Sequence, residues 1–182
     1  SSPAPIRLRA GTFFPTLGEQ LNVAADLRAA APAGTQVSDY LVQFRGPVEQ
    51  AWKDELAALG VEIFAYVPDY AFKVRMSAAQ AAQAQVLGSV AWVGAFQPAY
   101  KLSPDLKLNG TQLYLVQLER GANANVTLAS IANGGAQAAL QADGSLVVAA
   151  NARQLVALAQ LLDVAWVENF VLPEKHNEYG GG

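Results

Sequence analysis

The stretch SVAWVGAFQP at Ser89–Pro98 returns, in outline, as DVAWVENFVL at Asp163–Leu172. Trp92 and Trp166 stand 74 residues apart, and the same interval separates the YLVQF that begins at Tyr40 from the YLVQL that begins at Tyr114. Between these anchors it also carries Gly60 onto Gly134, Asp69 onto Asp143, Val74 onto Val148, Gln80 onto Gln154 and Leu87 onto Leu161, with no gap. An interval held by distant anchors marks an internal duplication. Whatever fold one copy has, the chain therefore has twice.

In the first copy Tyr40, Val42 and Phe44 alternate with Leu41, Gln43 and Arg45, the two-residue period of a strand with one buried face. Val48, Trp52, Leu56 and Leu59 then recur at helical spacing, and Gly60 stands where a helix end favours φ > 0. VEIFAYV and YAFKVRM read as two strands joined by a turn at Pro68-Asp69, with Tyr70, Phe72, Val74 and Met76 facing inward. Ser77 with Gln80 forms a capping box that opens an alanine-rich helix, and SVAWVGAF is a fourth strand. The second copy repeats the order. YLVQLE is its first strand, NVTLASIAN a short helix ended by Gly134 and Gly135, AQAALQ and SLVVAA a hairpin across Asp143-Gly144, Asn151 with Gln154 the cap, LVALAQLL the second helix and VAWVENF the last strand.

The order βαββαβ, twice, predicts an α+β fold of two tandem ferredoxin-like units, each a four-stranded antiparallel sheet with two helices on one face. The expected division is an N-terminal extended segment over 1–37, a first repeat over 38–101, a linker over 102–110, a second repeat over 111–172 and a tail over 173–182. In the N-terminal segment PIRLRAGTFF could add an edge strand to one sheet and NVAADLRAA could form a short helix. The faces without helices differ between the copies. In the first, Gln43, Arg45, Lys73 and Arg75 predict a sheet face turned to water that needs no partner. In the second, the outward positions are Leu115, Gln117 and Glu119 on its first strand and Ser145, Val147 and Ala149 on its third, of which Leu115, Val147 and Ala149 make a mostly uncharged patch of the kind that marks an interaction surface.

Composition removes several classes of function. The chain has 182 residues, a net charge of −3 and only 12 scattered Lys and Arg, which argues against a nucleic-acid partner. With no Cys and a single histidine, His176, there is no disulfide, no thiolate and no metal-ligand cluster, so no metal or cofactor is expected. Asp54 and Glu55 are neighbouring acids on a helix flank, not a pair facing each other across a cleft. The three glycines at Gly180–Gly182 lack the lysine and helix of a phosphate loop. The chain reads as non-catalytic, without a membrane span, and as a soluble piece from which a signal peptide has been removed.

Residues from nearly the whole chain carry a resemblance. PIRLRAGTFFP near the start, YLVQFRGPVEQAWKDELAALGVEIFAYVPDYAFKVRM, VAWVGAFQPAYKLSP and the closing HNEYGGG resemble the N-terminal pro-region of secreted bacterial subtilisin-like serine proteases with a long, tandem propeptide. The resemblance implies an intramolecular chaperone for a catalytic domain encoded beyond Gly182, and a temporary inhibitor of that domain. Its partner would be this cognate protease domain, its location secreted and its cofactors none. It also implies that the C-terminal tail lies in the protease cleft as a substrate-like strand. Tyr179, Gly180, Gly181 and Gly182 would then be the cleft-binding residues, with Leu115, Val147 and Ala149 the docking face. The expected cut is after Gly182, which puts Tyr179 four residues before the bond; the alternative is after His176, which puts Pro173 there. Two other functions fit the same residues: a free-standing subtilisin inhibitor, and a tandem ligand-binding or regulatory module.

Overall fold

The structure is a computed structural model that describes residues 2–30, 32 and 34–172. Two short strands, β1 (Ile6–Leu8) and β2 (Gly11–Phe13), pair as a hairpin with Ile6 opposite Phe13. Single 3-10 turns follow at Pro15–Leu17 and Ala25–Leu27. The first repeat then runs β3 (Val37–Phe44), α1 (Gln50–Ala58), β4 (Glu62–Val67), β5 (Ala71–Ser77), α2 (Ala78–Gln85) and β6 (Val90–Ala95). After a 3-10 turn at Pro98–Lys101 the second runs β7 (Gln112–Leu118), α3 (Ala124–Asn133), β8 (Gln137–Leu140), β9 (Leu146–Ala150), α4 (Ala152–Ala159) and β10 (Val164–Asn169). Among the described residues this is a mixed α+β fold with four α-helices and three antiparallel sheets.

The two larger sheets have matching strand orders, β6-β3-β5-β4 and β10-β7-β9-β8. In each, the repeat's first and third strands are central and its second and fourth are edges. Both second helices open on a capping box. Ser77 accepts from the Gln80 N–H, and Asn151 accepts from the Gln154 N–H, while each glutamine side chain accepts from the capping residue's own N–H. The helices of each repeat cover one sheet face. Val42, Phe44, Phe72, Val74 and Met76 pack with Leu56 and Ala84 in the first core, and Tyr114, Val116, Leu146 and Val148 pack with Ile131, Leu155 and Leu158 in the second.

The 74-residue interval is not gapless. Both first helices end in a left-handed glycine, and these are Gly60 (φ 85°) and Gly135 (φ 84°), so Gly60 matches Gly135 and not Gly134. The reason is one residue displaced in each copy. Helix α3 has ten residues against nine in α1, and is not shorter as its sequence suggests. A bulge between Ile63 and Ala65 in β4 then restores the register, because β8 pairs with β9 without one.

The central strands of the first sheet are covered on their outer face, and the edge strand β4 leaves residues such as Glu62 and Ala65 exposed there. Of the four polar residues expected to face water, Gln43 and Lys73 are buried, Arg75 nearly so, and only Arg45 at the strand end is exposed. A third apolar layer lies over this face. Ile6 and Phe13 of the β1–β2 hairpin pack with Leu41, Val67, Ala71, Phe96 and Tyr100, and Phe13 meets Trp92 edge to face at 5.9 Å. PIRLRAGTFF therefore adds no edge strand; it pairs with itself and becomes a lid. NVAADLRAA contributes only the 3-10 turn at Ala25–Leu27. Gln43, Lys73 and Arg75 can line a buried face because each has a partner. The Gln43 side-chain amide donates to the carbonyls of Ala4 and Pro5 from the lid at 3.0 and 3.3 Å, and to Asp69 at 3.2 Å.

Candidate docking face of the second sheet

A corner of the second repeat completes the cover over the first sheet. Lys73 pairs with Glu119 at the end of β7, both almost fully buried. Arg75 reaches Asp39 at 3.0 Å, Asp163 at 3.2 Å and the Leu162 carbonyl at 2.9 Å. Lys101 donates to the Leu161 carbonyl at 2.8 Å, and burial followed by the charge of Lys73 pulls its pKa from 10.5 to about 8. Arg120 donates to the Phe64 carbonyl at 2.6 Å from the same corner. Charges taken out of water at this density are stable only when paired, so the set fixes how the repeats sit together.

The second sheet uses the corresponding face differently. Leu115 of β7 stands opposite Val147 of β9, and Leu113 opposite Ala149, so the three residues singled out from the sequence are brought together. Ala139 of β8 faces Val147, and Glu168 of β10 faces Leu115. Position by position the contrast with the first sheet is large. Leu41 is 0% exposed where Leu115 is half-buried, and Asp39 is 2% exposed where Leu113 is 43% exposed. Lys73 and Arg75 correspond to Val147 and Ala149. The lid touches this region at its margin, where the Arg9 guanidinium lies 4.6 Å from the centre of the Trp166 ring. At matched positions the covered face thus carries Asp39, Lys73 and Arg75 where the open one carries Leu113, Val147 and Ala149, although Gln117 and Glu168 also lie on the open face.

Leu113 and Trp166 also belong to this face. Alternation carried back two residues from Leu115 finds Leu113. Trp166 follows from the register that sets it opposite Gln117. Tyr179, Gly180, Gly181, Gly182 and the alternative cleavage residue His176 lie outside the described residues. Elsewhere, Leu27, Leu102, Leu106, Leu108, Leu155 and Val156 line an apolar groove of about 660 Å3 between the N-terminal segment, the linker and α4. Among the described residues no three His, Asp or Glu side chains gather as metal ligands, and no helix is long and apolar enough to cross a membrane.

The model of a family described as a domain of unknown function (DUF8729) matches residues 7–97, half of the chain. The chain belongs to the DUF8729 family. The match runs from β1 to just beyond β6, so the DUF8729 segment spans the lid together with the first sheet that it covers. No curated protein and no solved structure matches the chain.

Proposed function

We propose that this chain is the pro-region of a secreted subtilisin-like serine protease, acting as a folding chaperone for the catalytic domain and then as its temporary inhibitor. Both repeats are read as ferredoxin-like units, and the strand orders with their helices on one face support that reading. The observation that carries the function is the open apolar face of the second sheet, whose last strand leads into residues 173–182. In this reading Leu115, Val147 and Ala149 dock on the protease, and the tail with Tyr179 and Gly180–Gly182 enters its cleft as an added strand. The first repeat, its outer face already occupied by the chain itself, is a platform for the second and not a second inhibitor.

The test has two parts. The reading frame beyond Gly182 should continue into a segment with the Asp-Thr-Gly, His-Gly-Thr and Gly-Thr-Ser neighbourhoods of the catalytic domain, and the chain should inhibit that domain when added in trans. Leu115→Glu and Val147→Lys should each raise the inhibition constant at least about tenfold, since either puts a charge into a desolvated contact, while Glu55→Lys on the exposed flank of α1 should not. No downstream protease and no inhibition would refute the proposal. The groove of about 660 Å3 favours a second reading, a ligand-binding module. That reading predicts a thermal shift with medium-chain fatty acids that is lost in Leu106→Glu.

A further inference from the structure

The two first helices end alike, yet with different side chains. Leu59 caps α1 at φ −77°, ψ −3°, and Gly134 caps α3 at φ −81°, ψ 1°; each is followed by a left-handed glycine. Those glycines lie against equivalent capping glutamines, Gln80 and Gln154. Leu59 and Gly134 are therefore the same position in the two repeats. In the first, the Leu59 side chain packs against the core that holds Leu56, Val74 and Ala84. In the second no side chain fills that place, and the position of Val61, just before β4, is held by the smaller Ala136, just before β8.

What remains is a slot of about 90 Å3 between α3, α4 and the inner face of β9, walled by Ile131, Ala136, Val148, Leu158 and Leu161. It opens to solvent beside Ser130, Gly134 and Ala157, all exposed. Apolar cavities of roughly 150 Å3 stay dry and take up benzene or xenon; this smaller one matches a single branched alkyl group. We propose that the slot is a binding site for a small molecule presenting an isobutyl-sized apolar group. The first repeat supplies the chemistry of the occupant, because there the chain's own leucine side chain, an isobutyl group, fills the equivalent space. The slot lies on the helix side of the second sheet, opposite Leu115 and Val147, so it stands or falls apart from the docking proposal.

Isobutanol is the probe, with ethanol as the control that shares its hydroxyl but lacks the branched alkyl group. In a methyl NMR titration of the full chain, isobutanol should cause saturable shifts confined to Ile131, Val148, Leu158 and Leu161, and ethanol should cause none at the same concentration. Gly134→Leu should weaken binding at least tenfold. The backbone there tolerates it: a Cβ on Gly134 meets the Ile131 carbonyl at 3.5 Å and the Ser130 carbonyl at 3.8 Å, ordinary contacts, at a negative φ. Ala136→Val, copied like Gly134→Leu from the first repeat, narrows the slot from the residue that leads into β8 and takes the place of Gly134→Leu should that variant fail to fold. Absence of saturable shifts in the wild type overturns the site and leaves a packing defect. Shifts that persist unchanged in the folded filled variant overturn it as well.

Discussion

Lys101 allows the junction between the repeats to be tested by pH. It ends the 3-10 turn after β6, is 3% exposed, and donates to Leu161 in the second repeat. Burial and then Lys73 lower its pKa to about 8, with Asp39 and Glu119 opposing but not offsetting them. An unfolded lysine titrates near about 10.4. Below pH 8 both states hold the proton, and the folded state carries the whole cost of a buried ammonium, on the order of 3 kcal/mol for a displacement of this size. Between about 8 and about 10.4 the unfolded chain binds a proton that the folded chain has released, so stability rises with pH. From about pH 7.5 to about pH 9.5 the rise amounts to about 2 kcal/mol. Tyr40, Tyr100 and Tyr114, whose pKa values burial raises, act in the opposite sense, but only near and above about pH 10, where unfolded phenols ionise first. Urea unfolding of the whole chain across this range is the assay. Lys101→Met should flatten the profile and stabilise the protein at pH 7.5 by about 2 kcal/mol, net of about 1 kcal/mol for the lost hydrogen bond. A wild-type stability that stays level or falls over the range, or a methionine variant that keeps the wild-type slope, would refute the assignment.

Lys73→Met should destabilise by about 3–5 kcal/mol in the same assay, because it leaves Glu119 buried without its partner. Adding Glu119→Met should recover most of the loss, and a double variant no better than the single one would show that the pair is not coupled. Gly134→Leu should raise stability by up to about 2 kcal/mol, from a cavity of about 90 Å3 at about 24 cal/mol per Å3; an unchanged urea midpoint would mean that the slot closes by relaxation.

Within each repeat the sequence is a good guide, because the signals are local. Alternation at Tyr40–Phe44 and Tyr70–Met76 sorts inner from outer residues, and the paired Ser77–Gln80 and Asn151–Gln154 mark where both second helices begin. Errors enter where the deciding contact is distant. Gln43, Lys73 and Arg75 look solvent-facing because their partners lie in Ala4 and Pro5 at one end of the chain and in Glu119 and Asp163 at the other. Equating Gly60 with Gly134 fails for a different reason. Gly134 and Gly135 are adjacent, and only the backbone dihedrals tell which one carries the left-handed turn. The β1–β2 hairpin has three-residue strands, too short for periodicity to register, and its apolar residues find their purpose only against Leu41 and Phe96. Leu115, Val147 and Ala149 could be grouped from sequence because adjacent antiparallel strands set their register, whereas the uncovered state of that face depends on the whole chain.

The way the repeats meet also limits what the open face can accept. Unlike surfaces joined head to tail generate filaments if the contact can repeat, and a duplicated chain is exposed to that hazard because each copy starts with the same face and the same corner. Here both halves of a repeating contact are missing. The corner that docks on the first sheet carries Glu119 and Asp163, and the equivalent residues of the first repeat are Arg45 and Ser89, which supply no acid. The face that receives it carries Lys73 and Arg75, and the equivalents on the second sheet are Val147 and Ala149, which supply no base. The contact between the repeats therefore forms once and does not propagate through the second sheet. A partner for that sheet must instead offer apolar surface to Leu113, Leu115 and Val147, which excludes another copy's acidic corner and is the chemistry that the docking variants Leu115→Glu and Val147→Lys test.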